Sequence, residues 1–464
     1  MAGEDVPAAA AGRAELTALL EVSQIAGLPV PDAGTTARMY AVVTVTVQRT
    51  AGRAVGPPAD AGEPPRHAVV FLIDHSSSMV SPPARMAAAR DAAAAAVHAL
   101  PDGTRFAVVA GRDRASAVYP VPSQAGPGSG VMAVADDATR RGAEEALRAC
   151  HPGGGTAIGS WLAYARKLFA RLPGDGTGFV CHALLLTDGR NEPGYETPED
   201  LAGHLADCVD EFTCDAVGIG DAWATEELLL ITGRLHGTAH AVERLDLLTE
   251  ELRTLTREAA DRTLTGLRLR LYGRTGVELT SIGQVHPTRQ DLRTVAESPC
   301  VREFATAPWG EETRSYLLSL SVSHDDEPPG SEQMLTEVEL ARDEAARPTV
   351  ALPPSEAVLV RWSGDHGLYS RVHPTVGHYL HQEELVRVFE EGCAALRTRN
   401  PETARRAFGR AWRLACQVGD DAMKEHLAKL ITPGDDGEAE LLDRIRPFDI
   451  EAARIRTSRT VWHR

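Results

Sequence analysis

The sequence predicts a multidomain protein of the α/β plus β class. We expect a doubly wound, mostly parallel, Rossmann-like sheet inserted into an antiparallel β-sandwich, followed by a small C-terminal helical hairpin. Three observations predict this fold. Strand-like and helical patterns alternate through residues 67–255, which favours a mostly parallel sheet covered on both faces. Period-two apolar segments separated by Pro/Gly turns follow residue 262, and residues 375–432 have a helical pattern.

The N-terminal part of the chain shows two patterns. The spacing of Leu16, Leu19, Leu20 and Val22 predicts a short amphipathic helix over residues 13–25. Alternating valines predict a half-buried strand over 39–48. This strand needs a partner, and we predict that it joins the sandwich. Paired prolines indicate a linker at 51–66, and Pro, Gly and Ser indicate a surface loop at 120–130.

The α/β segment is predicted element by element from its apolar runs and periodicity. Strands are expected at 67–73, 105–110, 179–186, 213–219 and 237–242, and helices at 84–100, 139–149, 157–171, 198–210, 224–233 and 245–260. The predicted units are an N-terminal helix and strand (1–64), the α/β domain (65–255), the sandwich (256–368), the helical part (369–433) and a C-terminal tail (434–464).

The C-terminal part of the chain adds helices and a tail. The small and aromatic residues of 375–432 match the positions of one tetratricopeptide-like helical hairpin, with a break at Asn400-Pro401 and a third helix at about 420–431. A single repeat cannot bury its apolar face alone, so we expect the hairpin to pack on the sandwich. The tail carries Arg454, Arg456, Arg459 and Arg464, and is expected either as a strand or as a basic segment that docks on a partner.

Three short segments place oxygen-bearing side chains at predicted strand ends or on a glycine turn. Asp74-His75-Ser76-Ser77-Ser78 directly follows the apolar run 68–73, and Asp188 follows the run 184–186. A third segment, ending in Thr156, presents a hydroxyl after three glycines. In open α/β sheets, ligands bind at the carboxyl ends of strands. Carboxylates and hydroxyls offer only oxygen, which suits a hard cation such as Mg²⁺.

Asp-x-Ser-x-Ser, then Thr after glycines, then Thr-Asp-Gly, in this order, resembles the von Willebrand factor A (VWA) domain. The resemblance covers roughly residues 65–255 and includes Val217-Gly218-Ile219-Gly220-Asp221. It implies that Asp74, Ser76, Ser78, Thr156 and Asp188 form the family's metal-ion-dependent adhesion site, with Mg²⁺ as the expected ion and Mn²⁺ or Ca²⁺ as alternatives. Ser77 stands where many family members have Gly. His75 is expected to pack rather than to ligate.

The resemblance implies a binding module. An Asp or Glu of a protein partner would complete the coordination sphere of the metal, and Glu192 or Glu196 of this chain could occupy the same position in an inactive state. Bacterial relatives often act beside AAA+ ATPases of the MoxR or metal-chelatase type. The net charge of −17 disfavours nucleic acid or an anionic membrane as the main partner.

Other sequence features indicate the cellular location and the alternative functions to consider. No apolar run is long enough to span a bilayer, the start lacks a signal-peptide pattern, and the seven cysteines are scattered, which together indicate a cytoplasmic bacterial protein. We expect no enzymatic activity. A phosphatase-like hydrolase is one alternative, but Ser76 stands where such enzymes have a second carboxylate. The other alternative is a structural protein whose metal staples three loops.

Overall fold

The computed structural model of the protein describes residues 15–25, 27–32, 35–50, 66–121, 131–174, 176, 178–323, 330–343, 350–363, 373–434 and 439–462. The predicted linker at 51–66 and the predicted loop at 120–130 lie largely outside these residues. No helix of the described ranges is long and apolar enough to cross a membrane.

The N-terminal segment is a strand, so the helix predicted over residues 13–25 is wrong. Ala18 and Leu20 are buried whereas Leu19 is exposed, which is the alternation of a strand. Residues 15–24 pair antiparallel with 41–50 along their whole length. The apolar spacing suited a helix, but pairing with a distant segment overrides local propensity. The strands are β1 (Glu15–Gln24), β2 (Gly27–Pro29) and β3 (Thr36–Thr50), and β3 contains the strand predicted at 39–48.

The α/β unit follows β3 in the chain. Its sheet has the order β10-β9-β8-β4-β5-β6, with β7 also paired to β5, and the five strands β10, β9, β8, β4 and β5 are parallel. Strand β4 is central, and successive residues such as Val70 and Phe71 lie in the cores on opposite faces of the sheet. The strands are β4 (Arg66–Asp74), β5 (Arg105–Gly111), β6 (Ser116–Tyr119), β7 (Ala133–Val134), β8 (Phe179–Thr187), β9 (Thr213–Ile219) and β10 (Ala239–Val242).

Helices cover both faces of this sheet, as the alternating pattern predicts. Helices α3, α4 and α5 contribute to the core on one face, and α1, α2 and α6 to the core on the other. Helix α1 packs through small side chains, including Ala89 and Ala93, which allows a close approach to the sheet. The helices are α1 (Pro83–Ala99), α2 (Asp137–Ala149), α3 (Ile158–Phe169), α4 (Pro198–Cys208), α5 (Thr225–Arg234) and α6 (Leu248–Asp261).

Two six-stranded sheets enclose a second core. Their orders are β13-β12-β16-β3-β1-β18 and β14-β15-β11-β17-β19-β2. Strand β3 pairs with β1 on one side and with β16 on the other, so strands that precede the α/β unit share sheets with strands that follow it. The strands are β11 (Leu267–Tyr272), β12 (Val277–His286), β13 (Gln290–Asp291), β14 (Thr294–Glu297), β15 (Val301–Ala305), β16 (Glu312–Ser323), β17 (Glu332–Arg342), β18 (Val350–Ala351) and β19 (Glu356–Ser363).

The C-terminal part is mainly helical. The side chain of Asn400 accepts a hydrogen bond from the backbone N–H of Thr403 and caps a helix whose first residue is Pro401. Gly392 allows the ring of Phe408 to approach, since an added Cβ would lie 2.5 Å from that ring. The elements are α7 (Pro374–Arg397), α8 (Pro401–Val418), α9 (Asp421–Leu427), β20 (Ile431–Pro433), β21 (Ala439–Leu441) and α10 (Pro447–Thr457).

The basic part of the tail is a helix and not the strand that was one of its two expected structures. Residues 447–457 form a helix, and a single bridge between Thr288 and Arg459 is its only described β pairing beyond that helix. Arg454 has 8% of its side chain exposed and forms an ion pair with Glu390 of α7 at 3.0 Å. Arg454 therefore forms its ion pair inside the molecule, with a partner far away in the sequence.

Candidate functional site

The predicted ligand residues lie at one edge of the α/β sheet. Strands β4 and β8 are neighbouring and parallel, so Asp74 at the end of β4 and Asp188 just after β8 emerge side by side. The glycine loop before Thr156 is bound directly to the loop after β4. Gly153 donates its N–H to the carbonyl oxygen of His75 at 2.7 Å, and the backbone N–H of Ser77 donates to the carbonyl oxygen of Gly154 at 2.9 Å.

Hydroxyl groups connect the two carboxylates. The hydroxyl oxygens of Ser76 and Ser78 are 2.8 Å apart, and Ser78 donates to Oδ1 of Asp188 at 2.6 Å. A Cβ added to Gly189 would lie 3.6 Å from the Thr156 hydroxyl and 3.8 Å from the Ser78 hydroxyl, so both face the same small volume. The structure thus places all five sequence-predicted residues in one cluster, and all except Ser78 are buried.

Asp74 is a fully buried carboxylate without a basic partner among the described residues. Its Oδ1 accepts the backbone N–H of Ser76 at 2.8 Å, and its Oδ2 accepts the hydroxyl of Thr187 at 2.7 Å. Burial raises the pKa of Asp74 to about 6, although the hydrogen bonds from Ser76 and Thr187 oppose this shift. The neutral donors leave the negative charge of Asp74 without a counter-charge of its own.

The residues between the ligand positions support the loop. His75 is buried, and its Nδ1 lies 2.9 Å from the carbonyl oxygen of Ile73. Burial lowers the pKa of His75 to about 4, so its ring is neutral near pH 7. Ser77 is exposed, and its hydroxyl donates to the carbonyl oxygen of Gly154 at 2.9 Å. The serine that replaces the usual glycine therefore ties the two ligand loops together.

In this structure Glu196 does not lie in the site and does not occupy the open position that it could take in an inactive state. Its carboxylate accepts the backbone N–H groups of Gly159 at 2.7 Å and Ser160 at 2.9 Å, at the start of helix α3. A carboxylate at a helix N-terminus is stabilised by these unpaired donors and by the helix dipole. The other candidate, Glu192, is exposed, and its backbone N–H donates to the carbonyl oxygen of Thr156 at 3.0 Å.

Three neighbours of the cluster were not found from the sequence. Arg85, in the first turn of α1, forms an ion pair with Oδ2 of Asp188. Asn191 caps helix α3 by accepting the N–H of Ile158 at 2.6 Å. Tyr195 is 55% exposed and lies over Gly155, where an added Cβ would be 2.1 Å from its ring. All three contact residues that are distant in the sequence, so no local pattern reveals them. Thr187, which bonds to Asp74, was also not singled out, although it belongs to the Thr-Asp-Gly motif.

The donor set fits a hard divalent cation. Two carboxylates and three hydroxyls provide only oxygen, which Mg²⁺, Mn²⁺ and Ca²⁺ prefer over the nitrogen and sulfur that zinc sites use. The buried, uncompensated carboxylate of Asp74 is the kind of group that a cation stabilises. The described part of the chain contains no group of three or more His, Cys, Asp or Glu residues that could hold a metal, and the candidate site contributes only two such residues, Asp74 and Asp188.

Comparisons with known proteins agree with this fold. Residues 67–241 match the family model of the von Willebrand factor type A domain. The chain is similar to the solved structure of a von Willebrand factor type A protein from Catenulispora acidiphila, at 29% identity and a TM-score of 0.83, over 97% of this chain and 98% of that chain. No curated protein matches the sequence.

A second solved structure, the ArnB paralog VWA2 from Sulfolobus acidocaldarius, has 12% identity and a TM-score of 0.53, over 96% of this chain and 98% of that chain. At this identity the likeness supports the fold alone. The protein therefore contains a VWA domain, which is generally a protein-interaction module. Both similarities extend over nearly the whole chain, so they include the sandwich and the C-terminal helices as well as the VWA domain.

Proposed function

We propose that this protein is a metal-dependent protein-binding scaffold. In this proposal, Asp74, Ser76, Ser78, Thr156 and Asp188 hold one divalent cation, with Mg²⁺ as the resting ion and Mn²⁺ or Ca²⁺ as substitutes. The cation would supply a Lewis-acidic coordination position that faces solvent. A carboxylate from an Asp or Glu of a protein partner would bind there. The observation that carries the proposal is the buried Asp74 carboxylate, which lies among hydroxyl oxygens and lacks a basic partner in the described residues.

The chain's own residues prepare this site in three ways. Thr187 and the backbone N–H of Ser76 each engage one oxygen of Asp74 and fix its orientation. The bonds from Ser77 to Gly154 hold the first ligand loop against the loop that carries Thr156. Ser78 remains exposed and marks the side from which a partner approaches. Direct hydrogen bonds already join the loops, so a metal whose only role is to hold the loops together is the weaker proposal.

Binding rather than catalysis is the proposed role. A phosphatase-type mechanism through Asp74 needs a second carboxylate two residues later as general acid, and Ser76 offers only a hydroxyl that contacts Ser78. His75, the nearest histidine, is buried and bonded to the backbone. We therefore propose that the protein is not an enzyme.

For the partner, we propose an acidic surface element of another protein, with a MoxR- or chelatase-type AAA+ ATPase as the candidate suggested by the family resemblance. We also propose a reducing, cytoplasmic location. All seven cysteines are free thiols, and burial raises the pKa of Cys181, Cys208 and Cys393 to about 12, so these thiols are poor thiolate nucleophiles.

The test is an affinity pull-down from native lysate with Mg²⁺ or with EDTA, using wild type and the Asp74→Ala/Ser76→Ala variant. The matched control is Asp137→Ala, which removes a carboxylate that is 90% exposed at the start of α2, outside the cluster. We expect a partner retained by wild type and Asp137→Ala only with Mg²⁺. Replacement of the partner's acidic contact residue by its amide should then abolish capture. Equal retention by the ligand variant, or in EDTA, would overturn the proposal.

A further inference from the structure

Arg85 is a cation built into the cluster. It lies in the first turn of α1, and its guanidinium contacts Oδ2 of Asp188. Asp188 is fully buried, whereas the Arg85 side chain is 17% exposed, so Arg85 is the member of this ion pair that solvent reaches. Gly220, just after the neighbouring strand β9, lies beside this guanidinium, since an added Cβ would be 3.5 Å from Nη2 of Arg85.

Both oxygens of Asp188 are occupied by partners from the chain. Ser78 donates its hydroxyl to Oδ1, and Arg85 donates to Oδ2. A cation that uses Asp188, directly or through water, shares this carboxylate with a guanidinium that does not titrate near neutral pH. The two positive charges then repel each other at short range in a partly buried setting, where such interactions are weakly screened.

We propose that Arg85 sets the affinity and the charge of the metal site, an inference that rests on the proposed function. The two proposed carboxylate ligands, Asp74 and Asp188, and the Arg85 guanidinium that contacts Asp188 carry charges that sum to −1. A divalent cation brings the sum to +1, whereas without Arg85 it would be 0. Arg85 therefore weakens metal binding and leaves the metal-loaded site positive. A positive site attracts the carboxylate of a partner, and the exposed edge of Arg85 offers that carboxylate a second donor.

The test is a calorimetric titration of the full-length protein with Mg²⁺ alone. Arg85→Gln removes the charge, Arg85→Met is a second neutral variant of similar length, and Arg85→Lys retains the charge. Arg302→Gln, at a 41% exposed arginine of the sandwich, controls for net charge. We expect Mg²⁺ to bind both neutral variants about tenfold more tightly than wild type, with the lysine variant and the control within about threefold of it.

A second readout is partner capture, which should decrease in the neutral variants while Mg²⁺ affinity increases. Any partner captured by wild type in Mg²⁺ should be retained less by Arg85→Gln, although that variant binds Mg²⁺ more tightly. A lost fold would not produce this pattern, and circular dichroism of each variant in EDTA and in Mg²⁺ checks the fold directly. If wild type binds Mg²⁺ and the neutral variants bind it equally or more weakly, the role of Arg85 is wrong. If wild type binds no Mg²⁺, it is the proposed function that fails.

Discussion

Replacement of Thr187 by valine tests whether the support of Asp74 matters to the site. The Thr187 hydroxyl donates to Oδ2 of Asp74 at 2.7 Å and accepts the backbone N–H of Gly189 at 3.1 Å. Valine keeps the β-branched shape that suits the strand but removes both bonds. Hydrogen bonds to charged groups contribute about 1.5–3 kcal/mol. Because Asp74 is fully buried, we expect the free energy of unfolding to fall by about 2 kcal/mol.

The same substitution should weaken metal binding. Loss of a group that orients a metal ligand lowers affinity about 10- to 100-fold. The assays are urea denaturation in EDTA for stability and calorimetric Mg²⁺ titration for affinity. Thr187→Ser is the matched control because it retains the hydroxyl, and it should stay within about threefold of wild-type affinity. Wild-type Mg²⁺ affinity in the valine variant would refute the view that Thr187 prepares Asp74 for a cation.

Three further predictions concern the fold, each measured by denaturant unfolding. Gly111→Ala should cost about 1–3 kcal/mol, because the new Cβ would lie 2.4 Å from the buried ring of Trp161; an unchanged midpoint would contradict this packing. Gly203→Ala, on the exposed face of helix α4 with no atom within 4 Å of the new Cβ, should instead stabilise by about 0.5–1 kcal/mol, and a loss of stability would contradict this helical, open position. Burial lowers the pKa of His426 from its ordinary value of 6.5 to about 4 in the folded protein. Between these two pH values the unfolded chain binds a proton that the folded protein does not, so the free energy of unfolding falls as the pH drops from about 6.5 to about 4. His426→Gln should reduce the loss between pH 7.5 and 5 by about 1 kcal/mol after solvent screening, whereas an unaltered pH profile would exclude this contribution.

The core of the site is predictable from the sequence because its information is local. Each ligand segment directly follows an apolar strand or a glycine turn, and parallel strands bring their carboxyl ends to one edge. Asp74 and Asp188 therefore meet without any knowledge of side-chain contacts. The alternation of strands and helices over 67–255 was equally informative, since it reflects burial of the sheet on both faces.

What the sequence did not reveal depends on contacts between distant segments. Strand β1 carries a helix-like apolar spacing, and only its pairing with residues 41–50 makes it a strand. No sequence pattern distinguishes Arg85 from the other arginines, and only the fold places it beside Asp188. The sequence does not show that the Glu196 carboxylate binds the N-terminus of helix α3, because this contact forms only in the fold. Arg454 of the tail finds acidic partners in α5 and α7, more than sixty residues away in the chain.

The central claim is that one divalent cation binds through the hydroxyls and carboxylates at this sheet edge. Its most direct test is calorimetric titration of Mg²⁺ into wild type and into Ser76→Ala/Ser78→Ala, a variant that removes two neutral ligands and leaves the net charge unchanged. The account predicts one saturable site in wild type and no measurable binding in the variant. Equal binding by both proteins, or no binding by wild type, would contradict it.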